Sequence, residues 1–226
     1  MTVIEAINKV VDLANSEVGY KATAAKKNKY AEYLDSIKDF YNGPKNFFDW
    51  CDVFIDYLFV KSFGPEIGRQ MVRQPKRSCG AGVGFSADYY KVDGAFRQFP
   101  EVGSQIFFET YHTGIVVKVD GDQVTTVEGN TGGGGGMVQK KVYNRHLPAI
   151  AGYGIPNWRL AEGIKNETKD EKKDDCQSKI EKLCNELNKK AYDTIQGKYG
   201  NGANRLKALG DYYSPVQWII NRVLKE

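Results

Sequence analysis

Residues 46–59, NFFDWCDVFIDYLF, decide how the first half of the chain folds. The apolar residues of this stretch recur at helical spacing: Trp50, Val53, Phe54, Tyr57 and Leu58. The pattern predicts a helix over residues 49–62 with Cys51 in its first turn. A helix N-terminus carries partial positive charge and free N–H groups, so it stabilises a thiolate and suits a nucleophile. A half-buried structural cysteine explains the same pattern, and the helix considered alone favours that simpler interpretation.

A cysteine nucleophile requires an imidazole base and a polar group that orients the imidazole. The chain has two histidines. His112 stands directly before the apolar run TGIVVKV, which is typical of a strand, and a base at a strand end is held rigidly while facing a cleft. His146 lies in a predicted loop beside a proline, as ordinary surface histidines do. His112 is therefore the predicted base.

The group that orients the base is expected on the neighbouring strand. Residues 123–129, QVTTVEG, have the β-branched content of a strand, and Asp120-Gly121 predicts a tight hairpin turn before it. Antiparallel pairing brings the end of one strand beside the beginning of the other. Glu128 and Asn130 are therefore both predicted to lie within reach of His112.

The patterns along the whole chain predict an α+β fold. Helices over 3–18, 27–41 and 49–62 are expected to pack on an antiparallel sheet, in a catalytic domain of residues 1–158. Residues 159–176 mix charges of both signs with few apolar residues, which is typical of a linker. Residues 177–226 return to helical patterning and predict a small three-helix bundle.

Composition excludes several classes of function. The net charge of +4 comes without a basic stripe or a base-stacking motif, so no nucleic-acid partner is predicted. No window holds eighteen apolar residues, so no membrane insertion is expected. The four cysteines form no C-x-x-C pair, which gives a structural zinc site little support, and Cys79, Cys176 and Cys184 have no role that follows from the sequence. The oligomeric state is left open.

Four segments, DWCDVFIDYLF, VGSQIFFETYHTGIVVKV, VTTVEGNT and IAGYGIPNW, resemble in order and spacing the motifs of the CHAP family. CHAP proteins are papain-like amidases and peptidases that cut bacterial peptidoglycan. The resemblance covers most of residues 1–158. It implies that Cys51 is the nucleophile, His112 the general base, Glu128 the orienting carboxylate and Asn130 an assisting polar residue. Trp50, next to the nucleophile, is a predicted substrate contact.

Some members of that family bind calcium through an acidic cluster around the nucleophile. Asp49, Asp52 and Asp56 are acidic but do not clearly reproduce the cluster. No metal and no other cofactor is therefore predicted.

Residues 187–224, from LNKKAYDTIQGKYGNG to QWIINRVL, resemble the cell-wall-binding repeat at the C-terminus of some phage lysozymes. The segment LGDYYSP departs from the pattern of that repeat. The resemblance implies binding to the sugar-peptide part of peptidoglycan, with Lys198, Tyr199, Asn201 and Arg205 as an aromatic platform with cationic and amide donors. The simpler interpretation is that GKYGNG forms a glycine turn and that Arg205 is a surface residue.

These features predict a peptidoglycan hydrolase of the phage endolysin type, in the first instance an N-acetylmuramoyl-L-alanine amidase. The same triad serves a stem-peptide or cross-bridge endopeptidase. A catalytically inactive wall-binding protein is the alternative outside enzymes, and the intact Cys, His and Glu count against it. The first residues lack the features of a signal peptide, so we expect the protein to wait in the host cytoplasm, leave through a holin pore and act on the wall.

Overall fold

The computed structural model describes residues 1–23, 25–79, 82–132, 134–162, 164, 186–187 and 189–223. The chain divides into two compact units, Met1–Asn166 and Glu167–Glu226. Most of the predicted linker, from residue 165 onward, lies outside the described residues.

The described part of the first unit contains five α-helices. They are α1 (Val3–Ser16), α2 (Lys29–Asp35), α3 (Cys51–Phe63), α4 (Pro65–Met71) and α5 (Val83–Val92). Helix α1 begins with a capping box, in which Thr2 accepts from the Glu5 N–H and Glu5 accepts from the Thr2 N–H. Helix α4 was not predicted, since its segment is short and rich in Gly and Arg. Pro65 at its first position fixes a φ angle that suits a helix start.

Six strands form one antiparallel sheet in the order β1-β6-β2-β3-β4-β5. They are β1 (Phe96–Arg97), β2 (Gln105–Phe108), β3 (His112–Asp120), β4 (Gln123–Thr131), β5 (Met137–Asn144) and β6 (Ile150–Gly154). Asp120 pairs with Gln123 across a two-residue turn, which confirms the predicted hairpin. Strand β5 was missed because its lysines weaken the apolar signal. The α+β class is confirmed.

The sheet separates two apolar clusters. The larger lies between the sheet and the helices, and the smaller lies on the opposite face, because Ile115 belongs to the first and its neighbour Val116 to the second. Helix α3 is buried on almost every side. It approaches β4 so closely that a Cβ on Gly129 would lie 2.7 Å from the Cβ of Phe54. This close packing fixes where α3 begins, and therefore where Cys51 lies.

In the first unit, β6 is followed by a 3-10 helix, Trp158–Ala161. The Trp158 ring packs against Phe59 with 5.3 Å between ring centroids. The amino group of Met1 then donates to the carbonyl of Ile164 at 2.8 Å. The core of this unit therefore includes residues beyond 158.

The second unit is helical in its described part. Residues 189–195 are followed by α6 (Gly202–Leu209), a 3-10 turn (Gly210–Tyr212) and α7 (Tyr213–Val223). Their small core consists of Ala191, Leu209, Val216 and Ile220. Over the described ranges of both units, no helix is long and apolar enough to cross a membrane.

Candidate active site

His112 and Glu128 form a hydrogen-bonded pair on neighbouring strands. His112 begins β3, and its Nε2 lies 3.0 Å from Oε2 of Glu128 near the end of β4. Gly114 lies between them on the same face of the sheet. A Cβ at Gly114 would come within 2.6 Å of the Glu128 Cγ, so the missing side chain leaves the space that Glu128 occupies. Strand pairing predicted the contact between His112 and Glu128, and Gly114 leaves the space that Glu128 needs to make it.

The Glu128 carboxylate is fully buried and has a donor for each oxygen. Thr126 Oγ1 donates to Oε1 at 2.6 Å, and Lys141 Nζ lies 3.4 Å from Oε2. The hydroxyl of Tyr143 also bonds to Glu128. Burial alone raises the pKa of Glu128, but the bonds from His112 and Thr126 and the nearby positive charge outweigh it and hold this pKa below its usual value. Glu128 is therefore an ionised carboxylate against the imidazole.

Cys51 is the first residue of α3, and its side chain is buried. The thiol accepts hydrogen bonds from the backbone N–H groups of Asp52 and Thr113, the residue that follows His112. The predicted nucleophile therefore lies beside the start of β3, the strand that His112 begins.

The surroundings of Cys51 favour the protonated form of its thiol. Burial and the negative charges of Asp52 and Asp49 raise its pKa to about 12, and they outweigh the two backbone N–H groups. The expectation that the helix N-terminus favours a free thiolate is overturned, because desolvation dominates. A base must remove the proton before this sulfur can attack.

Trp50 does not offer a surface to a substrate. Its side chain is fully buried, and the indole N–H donates to the carbonyl of Gly135 at 3.0 Å. Burial contradicts the prediction that Trp50 contacts substrate directly. Instead, Trp50 ties the glycine-rich loop between β4 and β5 to the residues just before Cys51.

Asn130 lies on the loop side of the site. It interrupts the β4–β5 register with a positive φ of 56°. Its amide donates to Asp49 Oδ1 at 2.9 Å, and Lys26 Nζ lies 2.6 Å from the same oxygen. The predicted assisting residue thus bonds to the segment that leads into α3, rather than to His112.

The acidic residues of α3 bond to uncharged partners. Ser86 Oγ donates to Asp52 at 2.6 Å, and Gln105 Nε2 donates to it at 2.9 Å. Tyr41 donates to Asp56 at 2.6 Å. Burial raises the pKa of both aspartates. Among the described residues, no group of three or more His, Cys, Asp or Glu side chains is arranged to hold a metal ion.

The sequence did not single out three exposed aromatic residues that adjoin the site. Phe47 and Phe48 lie a few residues before Cys51, and Tyr111 precedes His112. Phe47 and Tyr111 have positive φ angles of 74° and 56°, which bulky residues rarely adopt. Exposure combined with an unfavourable backbone is typical of functional surfaces. The signal in the sequence was the adjacent pair of phenylalanines in NFFDW.

In the second unit, the four residues predicted to bind the cell wall mostly contact other residues of the same unit. Lys198 Nζ pairs with Asp193 Oδ1 at 2.6 Å, and Tyr199 packs against the small core. Arg205 donates to the Gly200 carbonyl at 3.0 Å and to Asn201 Oδ1 at 2.9 Å. Arg205, within α6, thus joins that helix to the turn. The ligand role of these residues stays a prediction.

Comparison with protein-family models, curated proteins and solved structures found no match for this chain.

Proposed function

We propose that this protein is a cysteine-dependent peptidoglycan hydrolase of the endolysin type, most simply an N-acetylmuramoyl-L-alanine amidase. One observation carries the proposal: a buried, ionised Glu128 bonds to His112 at the start of the strand whose next N–H group bonds to the thiol of Cys51. In this proposal Cys51, His112 and Glu128 take the roles of nucleophile, base and orienting carboxylate in a catalytic triad. The resemblance of the surrounding motifs to the CHAP family supplies the substrate class.

In the proposed reaction, His112 takes the proton from the Cys51 thiol as the sulfur attacks an amide carbonyl. The charge on the carbonyl oxygen is stabilised by free N–H groups in the first turn of α3. The protonated imidazole then gives its proton to the leaving amine, and a thioester remains on Cys51. Water, deprotonated by His112, hydrolyses the thioester and restores the thiol.

Glu128 contributes orientation and charge. Its bond fixes the His112 ring, and its negative charge stabilises the imidazolium that forms during attack. Because its other oxygen is bonded by Thr126, the carboxylate is itself held in place. Burial keeps water from competing for these bonds.

The exposed aromatic residues Phe47, Phe48 and Tyr111 are the proposed substrate platform. Aromatic faces stack on the apolar faces of sugars and on peptide side chains, and these three rings stand on both segments that carry catalytic residues. The second unit is proposed to bind the wall and to raise the local concentration of the catalytic unit there. The enzyme would reach the wall after release from the host cytoplasm.

The test is mass spectrometry of purified peptidoglycan after digestion by the wild-type chain, with Cys51→Ala as the control. Free stem peptides with an intact N-terminal alanine, together with peptide-free glycan, are expected for the amidase. Shortened stems that remain attached to muramic acid would instead identify an endopeptidase. The absence of products on several wall chemistries would refute the hydrolase and leave a wall-binding protein.

A further inference from the structure

Strand β5 supplies a lysine to the carboxylate that bonds to His112. Lys141 pairs with Thr126 in the β4–β5 register, and Glu128 is two residues further along the same face. Lys141 Nζ lies 3.4 Å from Glu128 Oε2, the oxygen that His112 Nε2 also approaches at 3.0 Å. An imidazole and a lysine ammonium therefore share a single oxygen of one buried carboxylate.

This sharing changes the balance of charge in the pair. Glu128 is fully buried, and the Lys141 side chain is 39% exposed, so the ion pair lies at the border of the core. A carboxylate whose charge is partly neutralised by Lys141 attracts a protonated imidazole less strongly. Without Lys141, more of the negative charge of Glu128 would face the imidazole that is the proposed base for Cys51.

The remaining neighbours of the pair do not supply this charge. Thr126 and Tyr143 donate to Glu128 as neutral hydroxyls, and Phe108 stacks on the His112 ring with 6.0 Å between centroids. On α3, the Cys51 thiol accepts from the N–H of Thr113 in β3, and the acidic Asp52 accepts from Gln105 in β2. Among the described contacts of Glu128, Lys141 is thus the permanent cation.

We propose that Lys141 is a positioning residue for the catalytic pair, which it completes from β5, and that it sets the lower pH limit of activity. This role rests on the proposed function of His112 and Cys51. Lys141 is not expected to touch the substrate. Its effect reaches the reaction through the Glu128 oxygen that it shares with His112.

The chain offers a matched control in the next residue. Lys140 pairs with Val127 and points to the other face of the sheet, where it is exposed. Lys140→Met and Lys141→Met remove the same charge from adjacent positions of one strand. Only the second removes the contact with Glu128.

The first measurement is the initial rate of amine release from peptidoglycan as a function of pH for the wild type and both variants. Lys141→Met is expected to move the acid limb to higher pH, so that at pH 5.5 its rate, relative to its own plateau, is about threefold below wild type. Lys140→Met should follow the wild-type curve, and Lys141→Arg should restore it. Superimposable relative profiles for Lys141→Met and wild type would overturn the proposal.

A second measurement does not depend on activity. Carboxyl 13C NMR of glutamate-labelled protein, with Glu128→Gln to assign the signal, follows the titration of Glu128 directly. Its midpoint should rise in Lys141→Met and stay unchanged in Lys140→Met, with circular dichroism to verify the fold. An unchanged midpoint in folded Lys141→Met refutes the coupling even if the chain cuts no wall. A raised midpoint in a protein without hydrolase activity would support the contact while the proposed function fails.

Discussion

Substitution of Gly114 by alanine tests the proposed catalytic geometry without removing any of the proposed catalytic groups. The added Cβ would lie 2.6 Å from Glu128 Cγ and 3.1 Å from the carbonyl oxygen of Val127. Carbon atoms in contact are ordinarily about 3.5–4.0 Å apart, so the Glu128 side chain must move by roughly 1 Å. It has little room for this, because it is fully buried and both of its oxygens are bonded.

A displacement of that size breaks the pair. The distance of 3.0 Å between His112 Nε2 and Glu128 Oε2 lies within hydrogen-bond range, and a further ångström takes it outside. Misplacement of a catalytic group by about 1 Å costs on the order of 100-fold in rate. We therefore expect Gly114→Ala to lower kcat/KM about 100-fold, with an overpacking cost of about 1–3 kcal/mol in the free energy of unfolding.

The assay combines amine release from peptidoglycan with chemical denaturation. Gly84→Ala in α5 is the control, since a Cβ there meets nothing within 4 Å, and it should retain full activity. Because Gly114→Ala and Glu128→Gln act on the same bond, the double variant should lose little more than the worse single variant. A folded Gly114→Ala enzyme with wild-type activity, or fully additive losses, would refute the role given to Glu128.

Three further predictions follow from individual contacts. Because the pKa of the Cys51 thiol is about 12, the rate at which iodoacetamide alkylates it should keep rising from pH 6 to pH 9. Peptide mass spectrometry measures this rate at Cys51. A plateau at acidic pH would contradict a protonated resting thiol. Burial raises the pKa of Asp56 in the folded protein above its usual value. The wild type therefore loses stability as the pH rises through this raised pKa, because the buried carboxyl must then ionise. Asp56→Asn escapes this loss, and its Tm relative to wild type should rise between pH 4 and pH 8 in thermal unfolding, whereas a constant difference would argue against the buried acid. Phe48→Ala in a Cys51→Ala background should bind sedimented peptidoglycan about fivefold more weakly, while the equally exposed Phe99→Ala should not, and equal binding by both would exclude the aromatic platform.

The local sequence was informative where one pattern dominated. Helix α3 followed from apolar spacing, and the β3–β4 hairpin followed from alternating strands around Asp120-Gly121. That hairpin was enough to place Glu128 beside His112, because antiparallel pairing relates their positions directly. Strand β5 gave a weak signal, because its two lysines are adjacent and Val138 is its one buried residue, and Lys141 was overlooked with it.

Burial was the property that the sequence predicted least well. Trp50 beside a nucleophile suggested a substrate contact, yet the packing of α2, α3 and the glycine loop encloses it. The thiolate expected at the α3 N-terminus likewise failed because desolvation depends on how many elements surround the sulfur. The burial of Trp50 and the desolvation of the Cys51 sulfur both depend on distant segments of the chain, so the neighbouring residues do not predict them.

The sequence by itself determined the α+β class, the start of α3 near Cys51 and the strand pairing that joins His112 to Glu128, because each depends on local periodicity or turn chemistry. The tertiary structure alone decided the rest. It buried Trp50, raised the pKa of the Cys51 thiol, turned Asn130 towards Asp49 and brought Lys141 to the Glu128 oxygen. These outcomes depend on contacts between segments far apart in the chain, where packing and desolvation set the energies and local patterns carry no information about them.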